Sequence, residues 1–80
     1  MQDIFEQMKK IISEQFGVDE SSVTENTSFE EDLGADSVDL VELVMAMEDE
    51  FKIGEVGEDE LAGLSTVGDC VRFLNRKMEA

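Results

Sequence analysis

From Asp36 to Phe51 the chain reads Asp-Ser-Val-Asp-Leu-Val-Glu-Leu-Val-Met-Ala-Met-Glu-Asp-Glu-Phe. Leu40, Leu43, Val44, Met47 and Phe51 recur at spacings of 3, 1, 3 and 4, the period of a helix with one buried face. At about 100° per residue, Val38, Val41 and Met45 gather on a second face roughly opposite, with Glu42, Glu48 and Asp49 at its edges. Those three residues either pack under a neighbouring segment or form an apolar patch with a charged rim, as interaction surfaces do. Periodicity alone leaves both open. At the start, Asp36 caps the helix and leaves Ser37 at its first position with a free hydroxyl, or Ser37 is itself the cap.

Reading outward toward the N-terminus, residues 17–36 are polar and aperiodic, a long loop with Val18, Val23, Phe29 and Leu33 as pins to the core. A short helical turn fits near Ser21 to Thr24. Ile4, Met8, Ile11, Ile12 and Phe16 predict a first helix, with Asp3 as its cap and Gly17 as its stop. On the other side, Ile53 to Gly57 is a turn with two glycines, and Glu58 to Leu64 suits a short helix. Thr66 then reads as an N-cap with Asp69 three residues on, and Val67, Cys70, Val71, Leu74 and Met78 form the stripe of a last helix. The expectation is all-α: a small irregular bundle of three main helices plus one short helix, with a long loop between helices one and two. Eighty residues leave room for one domain, 1–80.

Composition narrows the function. Six basic residues against 21 acidic ones give a net charge of −15, which argues against nucleic acid and anionic membrane as partners and in favour of basic protein surfaces. Between positions 30 and 60 there are 13 of the 21 acids and a single base, Lys52, so the acidity centres on helix two. Without histidine, no serine here has the usual base to activate it, and the chain is not expected to be an enzyme. The run from Asp32 fails as a calcium loop, with Gly34 and Leu43 at positions that need side-chain ligands and Val38 able to offer only its carbonyl, and no metal site is expected. Cys70, the single cysteine, lies on a core stripe and reads as a buried thiol. Neither a signal-peptide core nor a stretch of roughly 18 apolar residues is present, which predicts a cytoplasmic chain without a membrane span.

Leu33-Gly34-Ala35-Asp36-Ser37-Val38-Asp39, followed by Val41-Glu42-Leu43-Val44 and Glu48 to Phe51, closely resembles an acyl carrier protein of dissociated, bacterial-type (type II) fatty acid synthesis. Lys9-Lys10-Ile11-Ile12, Phe16-Gly17-Val18, Phe29, Glu31-Asp32 and Thr66-Val67-Gly68-Asp69 extend the likeness over nearly the whole chain. The resemblance implies that Ser37, next to Asp36, carries 4′-phosphopantetheine from coenzyme A, attached by a phosphopantetheinyl transferase (holo-carrier synthase). The thiol of that arm would hold growing acyl chains as thioesters, with Leu43 and Met47 lining an acyl cavity. The resemblance further implies a monomer whose helix two docks basic patches of acyltransferases, ketosynthases, reductases and dehydratases. The docking face would comprise Asp36, Val38, Val41, Glu42, Met45, Glu48 and Asp49. The sequence departs from the family's common pattern at Val38, where leucine is more usual, at the bulky Leu40, and in the turn from Phe51 to Gly57, which lacks a proline and looks one residue longer. A specialised polyketide, peptidyl or D-alanyl carrier shares the serine chemistry. From a different class, an unmodified acidic interaction module shares the charge but needs nothing attached at Ser37.

Self-repulsion among so many carboxylates on a small domain loosens the fold at low salt. The melting temperature is therefore expected to rise with millimolar divalent cation or on mild acidification. A melting temperature indifferent to both contradicts this reading.

Overall fold

The computed structural model describes residues 3–79. Four helices follow in order: α1 Ile4–Phe16, α2 Ser37–Phe51, α3 Glu58–Ala62 and α4 Val67–Glu79, with a 3-10 turn at Glu20–Ser22. No strand occurs among the described residues, only a bridge between Ser28 and Thr66. The all-α expectation stands, and the helices begin at the residues that can cap them. Asp3 accepts the Phe5 N–H at the start of α1, and Gly17, at φ 69°, donates to the Ser13 carbonyl at its end. The short helix ends at Ala62, two residues before the expected Leu64, because Gly63 closes it.

α1 packs against both α2 and α4, while α3 rests on α2. Met8, Ile11 and Ile12 from α1 meet Leu43, Val44 and Met47 from α2 and Val67, Cys70, Phe73 and Leu74 from α4 in one core. The sequence stripe of α4 needs correction at its end. Phe73, which that stripe omits, is buried, while Met78 is 51% exposed. A turn of 3.6 residues carries the buried face across Phe73 and Leu74 and leaves the last turn in water.

Loop 17–36 is anchored where predicted, with Val23 and Phe29 buried and Val18 and Leu33 half-buried against the core. Its backbone also completes α4. The first three N–H groups of a helix have no partner of their own. Here Val67 N–H donates to Thr27 O, Gly68 N–H to Glu25 O and Asp69 N–H to Thr66 Oγ1. Asp69 returns the favour by accepting from Ser65 and Thr66 N–H, and it pairs with Arg72 at 2.6 Å. Partial desolvation raises the Asp69 pKa, but these hydrogen bonds and the Arg72 charge outweigh it and leave the group below the ordinary aspartate range. Its contribution to stability is thus present above the ordinary pKa and lost as pH falls through the lowered one.

Gly68 lets this clasp close without strain, since a Cβ there would stand 3.0 Å from Glu25 O, the carbonyl its own N–H binds at 2.9 Å, and would push that carbonyl back. Gly68→Ala is expected to lower stability by about 1–2 kcal/mol through overpacking, although alanine is the better helix former by about 1 kcal/mol. Urea or thermal unfolding checks this, and a variant as stable as the natural chain would contradict it.

Candidate functional site

The loop reaches α2 through a tight turn. Gly34 adopts φ 65°, which favours glycine, and the next residue, Ala35, is buried with its N–H on the Phe29 carbonyl at 2.8 Å. That bond fixes where the chain emerges. Asp36 follows in extended backbone and caps the helix reciprocally with Asp39. Asp36 Oδ1 accepts the Asp39 N–H at 3.0 Å, and Asp39 Oδ2 accepts the Asp36 N–H at 3.2 Å. The cap is therefore Asp36, and Ser37 takes the first helical position, exposed, its hydroxyl not used in capping.

Ser37 borders a cleft of about 500 Å³ between the end of the long loop and α3. Phe29, Leu40, Leu61, Ala62 and Leu64 supply its apolar wall, and Ser28, Glu30, Glu31 and Ser65 its polar rim. Leu43 and Met47, the expected cavity residues, are fully buried in the core and do not line this cleft. The residues that do line it from α3 and beyond, Leu61, Ala62 and Leu64, are missing from the sequence-based set. The spacing of Leu61 and Leu64 was the available signal, but it does not say which segment they face.

On the opposite side of α2, the second apolar stripe does not pack under a neighbour. Val38 is 66% exposed, Val41 44% and Met45 60%. Asp36, Glu42 and Asp49 stand exposed around them. Glu48 is half-buried and differs from the others, because its Oε2 accepts the Val56 N–H at 2.8 Å. Cys70 is fully buried, and burial, followed by the Asp69 charge, pushes its thiol up to about 12, where it is no nucleophile. Among the described residues no group of three or more His, Cys, Asp or Glu is arranged to hold a metal ion.

A serine thus stands exposed at a helix start, beside a cleft and an apolar stripe. Residues 6–74 match the family described as phosphopantetheine attachment site. The chain belongs to the acyl carrier protein family. Its fold matches the acyl carrier protein from Enterococcus faecalis with a TM-score of 0.76 and 32% identity, over 91% of each chain. Membership makes this a carrier and not an enzyme, a domain to which phosphopantetheine is covalently attached and which meets a transferase and synthesis enzymes. No helix of the described residues is long and apolar enough to cross a membrane.

The local geometry suits such a group. A phosphodiester on the Ser37 hydroxyl would lie at the positive end of α2, near first-turn amides that the helix itself leaves without partners. Its two acidic neighbours, Asp36 and Asp39, already accept from backbone amides, and exposure to water weakens their repulsion.

Because Asp36 is the cap, Asp36→Ala is expected to destabilise the carrier by about 1 kcal/mol, or about 4–8 °C in melting temperature. Ser37→Ala is expected to stay within about 0.5 kcal/mol of the natural chain. Thermal unfolding of the two variants checks the assignment, and the reverse order would return the cap to Ser37.

Proposed function

We propose that this carrier bears 4′-phosphopantetheine on Ser37 and shuttles growing fatty acyl chains between the enzymes of fatty acid synthesis. The arm, when attached, supplies a thiol that holds an acyl chain as a thioester. The rest is the work of this chain. What supports the reading is the placement of Ser37, exposed at the first position of α2, with the cleft on one side and the Val38–Val41–Met45 stripe on the other.

In this reading the stripe and its acidic surround, with Asp36, Glu42, Glu48 and Asp49, form the docking face. Partners are enzymes with basic patches: the transferase that loads Ser37, then acyltransferases, ketosynthases, reductases and dehydratases. An apolar stripe of three side chains is too small for a permanent interface, and charge supplies speed and orientation instead. That is what a monomeric carrier visiting many enzymes requires. The cleft shelters the cargo near Ser37, first against Leu40, Leu61 and Leu64, and a longer chain would have to part Leu43 and Met47 beneath them. Residues 1–80 act as one carrier domain. A cytoplasmic setting suits the lone thiol of Cys70, which has no intramolecular partner.

Loading kinetics test the docking face. With coenzyme A and a phosphopantetheinyl transferase of basic surface, kcat/KM is expected to fall at least about tenfold for Glu42→Lys or Val41→Glu. It is also expected to fall as salt rises from low to physiological strength. Loading that is indifferent to both salt and these substitutions would contradict docking through this face, while leaving attachment at Ser37 intact.

A further inference from the structure

α3 is the least secured element of the fold. It has five residues, none of them buried, and a helix of that length has no stability of its own. The strap before it, residues 52–57, contains no proline and holds Lys52 at φ 53° and Gly54 at φ 81°. Ile53, Val56 and Leu61 contribute partial packing against the core. Polar fastenings do the rest. Glu60 accepts the Gly57 N–H within the segment and pairs with Lys77 of α4 at 3.1 Å, an ion pair about one-third exposed on each side. Glu48 of α2 accepts the Val56 N–H at 2.8 Å, and among the described residues this is the one side-chain hydrogen bond that ties α2 to the strap.

Two facts meet at Glu48. It lies at the edge of the exposed stripe, one turn beyond Met45, and it holds the strap that positions α3. The α3 residues Glu58, Leu61 and Ala62 in turn wall the cleft that begins at Ser37. We propose that Glu48 is a latch: its carboxylate keeps the strap and α3 closed over the Ser37 cleft, and an arginine or lysine side chain docking at that end of α2 draws the carboxylate away and releases them. A guanidinium binds a carboxylate more strongly than a neutral amide does, so the cation favours the unlatched state by its differential affinity. The opening half of the proposal stands on the geometry alone, and the release half rests on the docking face described above.

Hydrogen exchange on the unmodified chain, followed by mass spectrometry, reads the latch directly. Glu48→Ala is expected to speed exchange across residues 53–63 about ten- to a hundredfold, with the amides of α1 and α4 unchanged. Glu48→Gln keeps an acceptor oxygen without the charge, and its basal exchange is expected to rise only a few-fold. Lys77→Gln, which breaks the more exposed fastening, is expected to have a smaller effect than Glu48→Ala. A saturating hexa-arginine peptide at low salt is then expected to speed exchange of residues 53–63 in the natural chain and to add nothing in Glu48→Gln. Unchanged exchange of residues 53–63 in Glu48→Ala overturns the latch, as does a rise spread evenly over all helices. No response to the peptide, or added protection of this segment, overturns the release. Neither result bears on attachment at Ser37, which fails or survives by loading alone.

Discussion

The reciprocal hydrogen bonds between Asp36 and Asp39 set the register of α2, and the rest of the site depends on that register. A helix that began one residue later would turn each side chain by about 100°. Leu43 would take the exposed place of Glu42 and Met47 the half-buried place of Ala46, while Val41 and Met45 would turn inward to the places of Leu40 and Val44. With the cap at Asp36, one helix fills the core on one side, shows an apolar stripe to water on another, and displays Ser37 between them. The loop holds the cap in place, since Gly34 turns the chain and Ala35 is pinned to the Phe29 carbonyl.

Charge and stability pull against each other in this molecule. Twenty-one acids on 80 residues repel one another, and few are paired: Glu6 with Lys9, Asp69 with Arg72 and Glu60 with Lys77 are the ion pairs among the described residues. Exposed pairs of this kind contribute little. Several carboxylates, Glu60 and Asp69 among them, also bind backbone amides, at the starts of all four helices, in the long loop, and at the strap before α3. Acidic residues thus hold the loops and caps in place as well as surrounding the exposed stripe. In Glu60 the Gly57 amide first, and Lys77 next, hold the carboxyl below its usual range.

Helix positions were legible in the sequence because local signals agree there. Asp3, Gly17 and Thr66 mark the ends that the structure shows, and the stripes of α1 and α2 are buried at their centres and half-buried at their ends. The family was legible from the residues around Ser37 together with size and charge. What the sequence left open were contacts between distant segments. Whether Val38, Val41 and Met45 are covered depends on where the loop and α3 lie, and no period encodes that. The cleft wall of Leu61, Ala62 and Leu64 and the bond from Glu48 to Val56 were hidden for the same reason. Met78 misled because it continues a helical stripe past the end of the core that stripe serves.

Whether α2 presents Ser37 for attachment, as proposed above, is decided by intact mass. The natural chain and Ser37→Ala are each incubated with coenzyme A and a broad-specificity phosphopantetheinyl transferase. A gain of one phosphopantetheine is expected for the natural chain and none for a folded Ser37→Ala chain. Modification of both chains, or of neither by several such transferases, would contradict it.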